Sequence, residues 1–210
     1  MEDQDWTLKP LIGLGTVAFG RTLSEFEVNQ QGFGPIERKV DRGGIFSVDQ
    51  MPESEIRELI EVMGEDGAKE VLDSMRQADS NLTGLVDVFL PNGLRASFLN
   101  GALFSFQVDY NAERLQYDEH EFFRSDPLPA LIALQNANDE PAFVEENSLW
   151  FDKLKVHVFG FLELNASGHL VRRVTSDEQG GDRAVAWGTE ILIEANALAN
   201  YRPMTIPSTL

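Results

Sequence analysis

Residues 82–111 read LTGLVDVFLPNGLRASFLNGALFSFQVDYN, and this stretch decides the fold. Residues 85–90 are β-branched, aromatic and apolar, Pro91-Asn92-Gly93 turns the chain, residues 94–99 follow, Asn100-Gly101 turns it again, and residues 102–109 complete three strands. Asn-Gly suits the positive φ that short hairpins demand, so the pattern predicts an antiparallel meander. Alternation puts Leu94, Ala96 and Phe98 on one face together with Ala102, Phe104, Phe106 and Val108, and turns Arg95, Ser97, Ser105 and Gln107 the other way. One face is expected in the core and the other nearer water.

Downstream of the meander, Tyr117-Asp-Glu-His-Glu121 crowds carboxylates about His120. Metal sites use these residue types, but neighbours along a strand or loop alternate in direction and cannot converge on one ion, so the segment reads as an acidic surface cluster. Ser125-Asp126-Pro127 starts a helix with the apolar stripe Leu128, Leu131 and Ile132, and residues 136–146 read as a polar acidic loop. A second β unit covers 149–152, 153–164 and 169–175, with a turn at Ser167-Gly168. Its alternation puts Leu154, Val156 and Val158 on one face and Lys153, Lys155 and His157 on the other, which makes His157 a solvent-face strand residue. Residues 177–183 form a charged loop, and 184–200 suit either a strand or a helix capped by Thr189 and running through Ile191, Leu192, Ala195 and Leu198. The tail from 203 to 210 is expected to lie extended over the surface.

Upstream, Gly13-Leu14-Gly15 resembles the start of a dinucleotide fingerprint, with Ala18 at the third glycine position, but no long apolar helix of a βαβ unit follows. A loop or short strand is the better reading. Thr22 and Glu25 match a capping box for a short helix with Leu23 and Phe26 inward, ended by Gly32-Phe33-Gly34-Pro35. In residues 36–51 a short strand is expected at Ile45, Phe46 and Val48. Pro52 opens a helical insert over 52–79, a helical hairpin or a helix broken between Gly64 and Gly67. Its stripe runs Ile56, Leu59, Ile60, Met63 and then Ala68, Val71, Leu72, Met75, while Arg57, Lys69 and Arg76 are its only cations among many carboxylates.

The fold class expected is thus α+β, antiparallel meanders packed with short helices. Residues 22–109 and 126–175 each run from a short helix through a connector into a meander, which reads as two loosely repeated units or as two stretches feeding one sheet. The chain is expected to form one compact unit over 1–210, or two sub-units at 8–116 and 117–210. Its 210 residues, 42% hydrophobic and 10% aromatic, suffice for a sizeable core. With no cysteine there is no disulfide framework, thiolate nucleophile or Cys-ligated metal. The acidic start and the lack of a long apolar run indicate neither a secretory signal nor a membrane span, so a cytoplasmic location is expected.

The net charge of −18, from 35 acidic against 17 basic residues, opposes binding to nucleic acid or anionic lipid and favours a basic protein partner. Catalytic signatures are missing: there is no Gly-x-Ser-x-Gly elbow, no Walker A motif, no His-Glu-x-x-His helix, and His120, His157 and His169 sit in no recognisable context. No enzyme activity, cofactor or metal is expected from the sequence.

In being cysteine-free, strongly acidic, α+β and without catalytic motifs, the chain resembles the immunity proteins of bacterial polymorphic and contact-dependent toxin systems. The segment from Ile12-Gly13 to Gly34-Pro35, a short helix and then Gly-Pro ahead of a meander, is also similar to the repeat of the β-lactamase inhibitor protein and of small outer-membrane lipoproteins of related fold. The resemblance implies an inhibitory binding protein that neutralises a basic toxin, such as a nuclease, by occluding its active site. Two acidic surfaces are candidates: Glu53, Glu58, Glu61, Glu65 and Asp66 on the insert, and Asp118, Glu119, Glu121, Asp139, Glu140, Glu145 and Glu146 on the second connector. The competing expectations are a small-molecule-binding or enzymatic domain with a pocket beside the sheet, and a structural subunit of a larger assembly.

Overall fold

The computed structural model describes residues 5–43, 51–173, 182–189 and 197–210. The chain begins with a ribbon of two-residue strands, β1 (Leu8–Lys9), β2 (Gly13–Leu14) and β3 (Val17–Ala18), so Gly13 and Gly15 belong to a tight antiparallel turn rather than to a phosphate loop. Helix α1 (Leu23–Asn29) carries the expected capping box: the Glu25 amide donates to Thr22 Oγ1 at 3.3 Å and the Thr22 amide to Glu25 Oε2 at 2.8 Å. Then come β4 (Arg38–Asp41), α2 (Glu53–Leu82), and the meander β5 (Leu85–Phe89), β6 (Leu94–Leu99) and β7 (Ala102–Asp109). A hairpin, β8 (Gln116–Tyr117) and β9 (His120–Glu121), leads to α3 (Leu128–Asn138). The second half holds β10 (Ala142–Glu145), β11 (Ser148–Phe151), β12 (Val156–Phe159), the hairpin β13 (Leu162–Leu164) and β14 (Leu170–Arg172), β15 (Ala184–Gly188) and β16 (Arg202–Met204).

Nine of these strands make one antiparallel sheet in the order β16-β10-β11-β12-β15-β7-β6-β5-β4. The order is close to symmetric. Each half supplies a helix and four strands, α1 with β4 to β7 and α3 with β10, β11, β12 and β15, and the last strand of each half meets the other at the centre, Trp187 opposite Phe106. Each half also carries an insertion before its closing strands: α2 follows β4, and the β13–β14 hairpin follows β12. The second unit therefore closes at residue 188, not at 175, because the hairpin interrupts it. One hydrophobic cluster runs through both halves, from Trp6 to Ile206, and Phe26 of α1 packs edge-on against Phe98 of β6.

The meander forms where the sequence puts it. Asn100 and Gly101, with φ of 52° and 82°, make the two-residue turn between β6 and β7. Face assignment differs at one point, because a β-bulge shifts the register between Ser97 and Phe98: Ser97 opposes Ser105, but Phe98 opposes Leu103. Leu103 is buried with the core, and Ala102 and Phe104 are only half-buried.

Other expectations are corrected by packing. β4 is an edge strand of sequence RKVD whose charges give no apolar signal. Residues 136–146 are not a loop, since α3 continues to Asn138 and β10 follows. Residues 153–164 are not one strand: a turn with Lys155 at φ 52° precedes β12 and Gly160 at φ 82° ends it. The tail is tied down, with β16 pairing to β10 and the Ile206 amide donating to Gln135 Oε1 of α3 at 2.6 Å. α2 breaks at Gly64, φ 77° and ψ 169°, within the expected stretch, yet Ile60 and Met63 of its stripe are exposed. The strand at Ile45, Phe46 and Val48, the loop over 177–181 and the stretch of the Thr189-capped helix over 190–196 lie outside the described residues.

Candidate functional site

Helix α3 reads LPALIALQNAN and is apolar nearly all round, which normally means burial on every side. Only one side is covered. Leu128, Leu131 and Leu134 enter the core, while Pro129, Ile132, Ala133 and Ala137 form the floor of an open groove of about 790 Å³. The groove's other walls are Thr7 and Leu8 of the N-terminal ribbon and Tyr117, Asp118 and His120 of the β8–β9 hairpin.

Local chemistry holds these walls in place. Gln116 Nε2 donates to Thr7 Oγ1 at 3.2 Å and the Gln116 amide to Trp6 O at 3.2 Å, which ties the hairpin to the ribbon. Asp118 and Glu119 form the hairpin's turn with φ of 50° and 66°, the left-handed pair that a two-residue turn requires. At the start of α3 the Leu128 amide donates to Asp126 Oδ1 at 3.1 Å. At its end the buried Asn138 accepts from the Lys153 amide at 3.0 Å, and Asp139 takes φ 54° to stop the helix. Tyr117 is half-buried, and desolvation, with Asp118 beside it, raises its phenol above the usual value, so it stays a neutral hydrogen-bonding group at any physiological pH.

The structure sorts the acidic candidates. Asp118 lines the groove, with Glu119 beside it in the hairpin turn and Asp139 just past the end of α3, and none of the three makes an ion pair with a described residue. Glu140 is close by in sequence but is paired with Lys153 at 2.9 Å, and the pairing raises the lysine's pKa. Glu121 is half-buried in the hairpin. Glu145 ends β10 and Glu146 follows in the turn, where it lines a different depression with Glu163 and Arg173. Glu53, Glu58, Glu61, Glu65 and Asp66 are all exposed on α2, and none lines a described cavity.

One polar cluster was invisible in the sequence. Ser148 of β11, His157 of β12 and Tyr201 lie together, the Ser148 hydroxyl bonding His157 Nε2 and meeting Tyr201 Oη at 2.7 Å. His157 is not a free solvent-face residue: burial lowers its pKa to about 4, so the ring is neutral. Ser148 is buried, and no described carboxylate orients the other ring nitrogen, the third role of a serine-histidine triad. Among the described residues no cluster of His, Asp and Glu is arranged to hold a metal ion, and no helix is long and apolar enough to cross a membrane.

Compared with protein-family models, curated proteins and solved structures, the chain matches none. The groove's chemistry is the guide to function.

Proposed function

We propose that this protein is a cytoplasmic inhibitory binding protein of the immunity type, which holds a basic toxin domain, a nuclease for instance, in the groove beside α3. The observation that supports this reading is the groove's composition. An apolar floor of Pro129, Ile132, Ala133 and Ala137 is walled in part by Asp118, with Glu119 next to it in the hairpin turn and Asp139 just past the end of α3, and none of these three carboxylates forms an ion pair with a described residue. Tight interfaces bury a water-excluding apolar centre inside a polar rim, and the charge of the rim sets steering and register.

The mechanism follows from the parts. The rim carboxylates stand where the phosphates of the partner's substrate would lie and pair with its Lys and Arg side chains. The helix floor and the Tyr117 ring exclude water from the contact. The exposed carboxylates of α2 add to the long-range field that attracts a basic partner without entering the contact. The same field, from a net charge of −18, repels nucleic acid and anionic membranes.

The test uses the wild-type chain and an Ala133→Arg variant as paired baits on the host lysate at low salt. Ala133 is half-exposed on the floor, so the arginine fills the groove without entering the core. The reading predicts a basic protein held at one-to-one stoichiometry by the wild type, released by a salt gradient, and retained at least about tenfold less by the variant. Equal retention by both baits removes the groove from the function.

A further inference from the structure

On the opposite face of the sheet, away from α1 and the core, strand register lines up Arg38 of β4, Phe89 of β5, Arg95 of β6 and Gln107 of β7, each directly across from the next. Residues of this row line a cleft of about 470 Å³ whose walls include Leu90, Pro91 and Leu94. In a chain with twice as many acids as bases, two arginines in one cleft would be expected to hold carboxylates. They do not. Arg38 makes no ion pair with a described residue and lies over the Phe89 ring, 4.3 Å from its centre. Arg95 approaches Asp87 only to 4.0 Å, and Asp87 is already held by Arg42 Nε at 2.8 Å and Ser97 Oγ at 2.6 Å. Arg95 otherwise donates through Nη2 to Gln107 Oε1, and its Nε is buried without a partner. The two acids at the cleft do not close the account. Asp109 Oδ1 accepts from the backbone and side-chain nitrogens of Asn111 at 2.8 and 2.9 Å, and Glu37 is exposed and bonded to neither arginine.

From this arrangement we infer that the cleft is a binding site for a small planar organic carboxylate. Its carboxylate lies between the Arg38 and Arg95 guanidiniums, which bind such groups through paired N–H donors. Gln107, whose carbonyl is committed to Arg95, has its amide N–H groups left to donate. The planar body rests against Phe89 and Pro91. This site is independent of the groove beside α3 and stands whether or not a protein partner binds there.

Amide NMR titration of the full chain tests it, with benzoate, benzamide and inorganic phosphate as probes at matched ionic strength. Benzoate is expected to give saturable shifts at Arg38, Phe89, Arg95 and Gln107 with a Kd on the order of 1 mM, and benzamide and phosphate to bind about tenfold more weakly or less. Arg38→Gln, a change at an exposed side chain, should weaken benzoate about tenfold while leaving the rest of the spectrum in place. No saturable shift, equal binding of benzamide or phosphate, or indifference to Arg38→Gln would each overturn the assignment.

Discussion

Ser148 and His157 sit on adjacent strands, and the Ser148 hydroxyl and His157 Nε2 share a hydrogen bond beside a ring that burial keeps neutral. Burial lowers the ring's pKa from 6.5 to about 4. Above pH 6.5 the ring is neutral in folded and unfolded chains alike. Between pH 6.5 and 4 only the unfolded chain takes up the proton, so stability falls with pH, and the loss levels off near about 3 kcal/mol once both states are protonated. His157→Gln, which keeps a polar group for Ser148, should flatten this limb. Urea unfolding at pH 7, 5.5 and 4 measures it, and parallel curves for the two proteins would refute the linkage.

Asp126 has two jobs at one carboxylate: it accepts the Leu128 amide at the start of α3 and takes Arg172 of β14 in a fork at 2.6 and 2.8 Å. Both bonds hold its pKa below the usual carboxylate range, Arg172 the more strongly. Asp126→Ala should cost about 1 kcal/mol through the lost bond to the Leu128 amide. Arg172→Ala, at an exposed pair, should cost less. Chemical denaturation of the two variants distinguishes the amide bond from the ion pair, and equal losses would assign the effect to the pair.

Trp187 Nε1 donates to Gly13 O at 2.9 Å from a fully buried position, fastening the N-terminal ribbon to the centre of the sheet. Trp187→Phe keeps most of the ring but strands that carbonyl, for an expected loss of about 1–3 kcal/mol. Amide hydrogen exchange should show residues 8–18 opening before the sheet. Unchanged protection there would mean that the ribbon is held by packing alone.

Replacing Asp118, Glu119 and Asp139 together with lysine reverses the groove's rim while leaving its floor intact. Association with the basic partner should slow by about tenfold or more at low salt and lose most of its salt dependence. All three are exposed but sit at positive φ, so an unfolding midpoint modestly below that of the wild type is expected. A matching change in α2, with Glu58, Glu61 and Glu65 made lysine, should slow association less. If it slows association more, the contact lies on the insert.

Local signals account for what could be read in advance. Asn100-Gly101 and the Thr22–Glu25 capping box are complete within a few residues, and both occur as the sequence indicates. β4 and β16 were missed because edge strands receive their identity from a neighbour rather than from an apolar pattern. The bulge at Phe104 is likewise a property of the β6–β7 pairing. The acidic residues were easy to find and hard to rank, because ranking needs to know which carboxylates already have cations. Glu140 is paired directly with Lys153, Asp139 feels the same lysine only at longer range, and Asp118 makes no ion pair with a described residue. The arrangement of Ser148, His157 and Tyr201 joins residues distant in sequence and had no local signal at all.

The junction between β7 and β15 has a bearing on how the chain is made. β7 ends at Asp109, and the strand that covers its free side begins only at Ala184. During synthesis the first meander is complete long before its neighbour emerges, and until then it presents an unpaired inner edge next to a row of large apolar side chains. β12 waits in the same way for the same strand. Five residues thus act as the clasp for both halves, and a ribosome that stalls before residue 184 releases a polypeptide whose β7 and β12 edges are open, along with the β10 edge that β16 would cover, well suited to pairing with another copy of itself.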